Sequence, residues 1–291
     1  MALASPASVS APANNYGGAA SRRLIRYALG ASKGRVTVEV LLRGKGQLVV
    51  LLPSLGRGAS DFDDLAARLA AAGYRTAAVN PRGIGRSDGP AASLLADYAR
   101  DVFEAINALQ SRAGRAAFKP VVLIGHAYGN RLARAVAAQY PDAVSSLILL
   151  ASGGQVAMPP AVAKALYGVF DPALSPQAHI DAVLTAFFAP GNDPEVWREG
   201  WYGAVAMQQQ TAVKNSPSES WSDGGQAPIY IIQAADDVVA SPANAEALRK
   251  AHPGRVEVVI LNNAGHAMLP EQPERLAELV LGRLRRLDAE T

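Results

Sequence analysis

The sequence predicts an α/β chain: a mostly parallel central sheet flanked by helices on both faces. Three observations carry this. Short unbroken apolar runs at 47–52 and 121–124 have the pattern of strands buried on both sides. Longer stretches with apolar residues at helical spacing lie between such runs, so strand and helix alternate. The rhythm breaks once, between 153 and 226, and then resumes.

Taken in order, residues 35–42 alternate as a strand and 47–52 form the first doubly buried one. Residues 61–72 repeat Leu and Ala at helical spacing, with Gly73 as the stop signal. Residues 76–79 are the next strand, and 94–109 a longer helix. Residues 121–124 are again a buried strand, followed by a helix at 130–139 and a strand at 146–150. After the break come a strand at 229–233, a helix at 242–251, a strand at 256–261 and a last helix at 273–287.

Residues 153–226 hold all three tryptophans, Trp197, Trp201 and Trp221, with prolines and short helical patterns. They read as a helical cap insertion into a core formed by 22–152 and 227–291. Residues 1–21, rich in Ala, Ser, Pro and Gly, read as a disordered leader. They lack the basic start and continuous apolar centre of an intact signal peptide. The expected compartment is the cytoplasm, with export after removal of a signal as the alternative.

Composition narrows the function classes. With 49% hydrophobic and 18% charged residues, 291 residues suffice for one sizeable core. A net charge of +3 without any block of like charge argues against a nucleic-acid or membrane-surface role. The basic pairs Arg22-Arg23 and Arg285-Arg286 read as solvated surface. The absence of cysteine removes disulfides, thiolate metal sites and a cysteine nucleophile together. No run approaches the roughly 18 apolar residues of a membrane-spanning helix. No His-x-x-x-His pair or phosphate-cradling glycine loop is present, so neither a metal nor another cofactor is expected.

The chemistry concentrates in a few segments. Val121 to Ile124 runs into Gly125-His126-Ala127-Tyr128-Gly129-Asn130, a strand entering a helix through Gly-x-Ala-x-Gly. Glycines suit such a turn, which is sharp and brings backbones too close for side chains. Leu52-Pro53-Ser54-Leu55-Gly56 ends an earlier strand, and Asn80-Pro81-Arg82-Gly83-Ile84-Gly85-Arg86-Ser87-Asp88 follows another. Ile232-Gln233-Ala234-Ala235-Asp236-Asp237 and Asn263-Ala264-Gly265-His266 close the set.

In this order the segments resemble the α/β-hydrolase superfamily, of the AB hydrolase-1 type, from about residue 35 onward. That family places a serine nucleophile in Gly-x-Ser-x-Gly at the elbow, then an acid, then a histidine. The resemblance implies that His266 is the general base and Asp237 its orienting acid, with Asp236 as the competing choice. It implies an oxyanion hole formed by the backbone N–H groups of Leu55 and Tyr128. Ser54, His126, Trp201 and Trp221 are candidates for the substrate wall. His126 reads equally as buried packing, and the tryptophans, with Met207, as a core of the insertion. His179 and His252 read as ordinary insertion and surface residues. The expected partner is a small, partly apolar molecule.

The departure is Ala127, which stands at the nucleophile position. A methyl group cannot attack a carbonyl, and losing a serine nucleophile costs about a millionfold in turnover. That is roughly 8 kcal/mol at 1.36 per decade, with about a thousandfold over water surviving from the oxyanion hole and binding. Pro53-Ser54 and Asn130 also depart from the family pattern, and three departures around one site fit natural divergence better than one engineered change. Three functions follow: a hydrolase of small esters, lactones or amides; a non-covalent enzyme using His266 and Asp237 as base and orienter; and a ligand-binding pseudoenzyme. Ser54 and Ser152, both near strand ends, are the places for a relocated nucleophile.

Overall fold

The structure, a computed structural model, describes residues 20–30, 34–111, 118–154 and 156–290. The chain begins there with β1 (Ser21–Ala28), β2 (Arg35–Arg43) and β3 (Leu48–Leu52), then α1 (Asp63–Ala71), β4 (Arg75–Val79) and α2 (Leu95–Gln110). Next are β5 (Val121–His126), α3 (Tyr128–Gln139) and β6 (Val144–Leu150). Helices α4 (Pro160–Gly168), α5 (Pro176–Phe187) and α6 (Gly203–Asn215) separate β6 from β7 (Ile229–Ala234). The chain ends through α7 (Pro242–Ala251), β8 (Val256–Leu261), α8 (Met268–Glu271) and α9 (Pro273–Ala289).

The strands form one eight-stranded sheet in the order β1-β2-β4-β3-β5-β6-β7-β8. From β4 to β8 every pairing is parallel, whereas β1 and β2 join antiparallel at one edge. The apolar runs explain the centre. Val50, Leu52, Leu123, Leu149 and Ile231 pack on one face against α2, α3 and α7. Their neighbours Val49, Leu51, Val122, Ile124, Ile148, Leu150 and Ile232 pack on the other against α1 and α9. A strand presents alternate residues to opposite faces, so only an unbroken apolar run fills both cores. Each such Leu or Ile contributes roughly 1.5–3 kcal/mol by its burial. Gly73 ends the first helix in the left-handed region, at φ 95°, where glycine is free of strain.

The N-terminal edge holds a strand, β1, that the sequence reading did not contain. Residues 1–19 of the expected leader lie outside the described residues, but Ser21 already belongs to β1. Arg22 is exposed, as expected, and also pairs with the buried Glu39 across the β1–β2 hairpin. An edge strand needs only one apolar face, and Arg22, Arg23 and Arg26 mask the pattern of Leu24 and Ile25.

The Asn80–Asp88 segment proves to be a brace. Glu39 accepts from the Asn80 side chain at 2.8 Å and from Arg86 N–H at 2.9 Å. A Cβ on Gly85 would lie 1.9 Å from that same carboxylate, hence the glycine. Arg82 donates twice to Asp101 on α2, at 2.8 Å each, and once to Pro90 O at 2.7 Å. This network anchors the loop after β4. The carboxyl ends of β3, β5, β7 and β8 are left to converge at one edge, where ligands bind in open α/β sheets.

Candidate active site

Ala127 sits between β5 and α3 at φ 51° and ψ −107°, a backbone conformation that residues with a Cβ rarely adopt. The turn is held from several directions. Ala127 N–H donates to Leu150 O at 3.0 Å, and the Asn130 side chain donates to Ala151 O at 3.0 Å. The flanking glycines are required by contact. A Cβ on Gly125 would lie 2.2 Å from Gly129 O, and one on Gly129 would lie 2.0 Å from Leu52 O. The strained elbow is therefore intact although its central side chain is a methyl group.

The turn after β7 carries the carboxylate expected as the acid. Asp237, 3% exposed, accepts from Val239 N–H at 2.9 Å and Ala240 N–H at 2.7 Å, and from Gln233 at 3.4 Å. Its second oxygen meets His266 Nδ1 at 2.9 Å. Asp236 is exposed and takes no part in that contact. Because the carboxylate accepts, Nδ1 carries the hydrogen and Nε2 is left as the lone-pair nitrogen.

His266, 4% exposed, follows β8 on a loop packed tightly against the end of α5. A Cβ on Gly265 would lie 2.7–2.9 Å from the backbone of residues 187–189. Ala267 N–H donates to Phe187 O at 2.7 Å. Glu271 braces the same junction, accepting from Gly265 N–H at 2.8 Å, and from Ala189 N–H and the Asn192 side chain at 2.7 Å each. Burial raises the Glu271 carboxyl above its ordinary range.

Ala127, His266, Ser54, Leu55 and Tyr128 all line one cavity of about 410 Å³. Its far wall comes from the segment between β6 and β7, including Leu166, Phe170 and Phe187. Neither Leu55 N–H nor Tyr128 N–H hydrogen-bonds to another described residue. Two unsatisfied donors beside a strained turn suit a developing oxyanion.

Residues 49–279 match the profile of the alpha/beta hydrolase family, which is most of the chain. The chain belongs to the alpha/beta hydrolase family. The 2-(acetamidomethylene)succinate hydrolase of Mesorhizobium japonicum is 35% identical over 118 residues, 40% of either chain. Epoxide hydrolase 3 of Xenopus tropicalis is 37% identical over 78 residues, 27% of this chain and 20% of its own. The chain thus matches less than half the length of either relative. A thermophilic esterase from Thermogutta terrifontis superposes with a TM-score of 0.72 at 21% identity, covering 91% of this chain and 98% of its own. An Exiguobacterium antarcticum esterase gives 0.69 at 21% identity, over 86% and 96%. At these identities the likeness shows the hydrolase fold.

Within this hydrolase fold the other site candidates separate. Ser54 lines the cavity but makes no hydrogen bond to His266 among the described residues, and Ser152 lies off the wall. His126 is fully buried behind the elbow, its Nε2 donating to His266 O at 2.8 Å. Burial, and then the neighbouring His266, holds its imidazole down at about 3. Trp201, Trp221 and Met207 are also absent from the wall. Trp201 packs on Phe170, Phe187 and Trp197, and Trp221 lies under Arg134 and Arg131. Met207 is exposed. The phase of short helices is set by what they pack on, which their sequence alone does not reveal.

Sequence reasoning missed Arg57. Its guanidinium lies 4.3 Å from the Trp197 ring and 4.5 Å from that of Trp201, paired at 2.7 Å with Asp61 and bonded to Glu199 O at 2.9 Å. Gly56 N–H donates to Gln209, and Tyr202 N–H to Gly56 O. The loop bearing Leu55 is therefore locked to the segment that forms the cavity's far wall. The adjacent Arg57 and the three tryptophans were the available signal. Among the described residues no cluster of three His, Cys, Asp or Glu side chains is placed to hold a metal. No helix of the described residues is long and apolar enough to cross a membrane.

Proposed function

We propose that this chain hydrolyses a small ester, lactone or amide beneath a cap formed by residues 153–226, and does so without an acyl-enzyme. One observation carries the reading: the 2.9 Å bond between the buried side chains of His266 and Asp237, at the wall of the cavity that Ala127 lines. His266 Nε2 takes a proton from water as the water oxygen attacks the acyl carbon. The carbonyl oxygen becomes an oxyanion and accepts from the N–H groups of Leu55 and Tyr128. Collapse of the tetrahedral adduct breaks the bond to the leaving group, which receives the proton from His266. Asp237 keeps the imidazole in the required tautomer and stabilises the transient imidazolium.

Retention of an oriented base supports turnover over mere binding, because a binding site has no need of a carboxylate behind its histidine. The relative that hydrolyses 2-(acetamidomethylene)succinate supports an acyl substrate. The methyl group of Ala127 favours a second reading, a binding protein whose turnover is lost. The two are separated by following hydrolysis of short nitrophenyl esters and lactones by this chain, His266→Ala and Asp237→Asn. Slow linear turnover without a burst, lost in both variants, is expected. Equal rates in the parent and His266→Ala would leave only the binding reading.

A further inference from the structure

We propose that the cavity selects substrates bearing a carboxylate, held by Arg131 and Lys214 away from the reacting acyl group. This deepens the reading above and rests on it for the reacting end. The anion-binding end stands on separate residues.

Both cations line the same cavity as Ala127 and His266, and no Asp or Glu lines it. Neither makes a hydrogen bond or ion pair with another described residue. The contrast with Arg134, on the same helix, is informative. Arg134 is fully buried and donates to Asn130 O, Asn130 Oδ1 and Ser222 O, with Gly153 O at 3.5 Å. Where a guanidinium serves the fold, its hydrogens have acceptors. Arg131, half-buried, has none among the described residues, so its guanidinium is available to an acceptor in the cavity. The bound molecule would supply one.

Its position fits that role. Arg131 stands in the first turn of α3, directly after Ala127, and lines the same cavity. The guanidinium is backed by the Trp221 ring at 6.0 Å and by Gly154, where a Cβ would lie 3.4 Å from Nη2. Trp221 thus shapes the cavity from behind its wall. Lys214 and Gln210, one turn apart on α6, line the same cavity. Lys214 is exposed, as suits a charge at the mouth that draws an anion inward. A planar guanidinium takes a carboxylate through two parallel hydrogen bonds, which fixes orientation as well as charge.

The probes are monomethyl glutarate and its neutral dimethyl ester, titrated calorimetrically into this chain, Arg131→Gln, Arg131→Lys and Lys45→Gln as an exposed charge-matched control. Charge-assisted hydrogen bonds predict that the monoester binds about tenfold to a hundredfold more tightly than the diester. Arg131→Gln removes that preference, Arg131→Lys keeps part of it, and Lys45→Gln leaves it whole. Equal binding of the two esters, binding of neither, or a preference that persists in Arg131→Gln overturns the proposal. A preserved preference with no His266-dependent hydrolysis sinks the hydrolase reading alone, and hydrolysis without a preference sinks the carboxylate site alone.

Discussion

Replacing Ala127 by serine adds one oxygen to a Cβ whose backbone already stands at φ 51° and ψ −107°. The strain of that conformation, of order 1–3 kcal/mol, is present before the substitution and unchanged after it. The added hydroxyl enters a cavity, not a packed core, so stability should stay within about 0.5 kcal/mol of the parent. Activity should change far more. His266, the proposed base, is already held by a 2.9 Å bond, and both N–H donors are free among the described residues. Where a nucleophile is removed from such a set, about six decades are lost, and some three survive without it. Restoring the oxygen should raise kcat/KM for a nitrophenyl ester by about a thousandfold or more, roughly 4 kcal/mol at 1.36 per decade. Stopped-flow release of nitrophenolate should show a burst stoichiometric with enzyme, abolished by adding His266→Ala. A folded Ala127→Ser chain with neither burst nor increased rate would show that His266 does not serve position 127, and the reasoning from elbow geometry would fail.

Three further outcomes follow from the packing. Gly129→Ala drives a Cβ to 2.0 Å from Leu52 O, backbone against backbone, and should cost about 3 kcal/mol or more in urea denaturation. His126 is neutral in the fold at pH values where the unfolded chain, with an ordinary imidazole, takes up a proton. Its stabilising effect is therefore complete above about pH 6.5 and is lost as pH falls toward about 3. Moving from about pH 7.5 to about pH 5 should cost about 2 kcal/mol, a slope that His126→Asn should lack. Glu271→Ala leaves two backbone N–H groups without their acceptor and should lower stability by about 2 kcal/mol. It should also reduce His266-dependent turnover in a chain whose circular dichroism remains native.

The parallel core was legible because its strands are buried on both faces and read as apolar runs, as in Leu48–Leu52 and Ile229–Ala234. β1 was not, since an edge strand with one wet face and three arginines looks like polar surface. At the site, the residues beside glycines and strand ends were legible, because close backbone approach leaves a mark in the sequence. The choice of Asp237 over Asp236 was open until the turn after β7 showed which carboxylate is buried. Arg131 and Glu271 were not singled out by the sequence, and Arg57 showed only its place beside Leu55. Each also contacts a distant segment, Trp221 for Arg131, Trp197 and Trp201 for Arg57, and Ala189 for Glu271. The same gap left Trp201 and Trp221 open between cavity wall and insertion core, and they are absent from the wall and pack behind it.

Arg57 also bears on how this protein could change over generations. Its guanidinium, held between Trp197 and Trp201, leaves from the loop that carries Leu55. Tyr202 and Gln209 grip the same loop at Gly56. The segment that forms the cavity's far wall and the loop that carries Leu55 are thus fastened together as one unit. A lineage that exchanged residues 153–226 for another insertion would unseat the loop in the same step. A chimera grafting those residues onto a related core would need to carry 53–61 along with them.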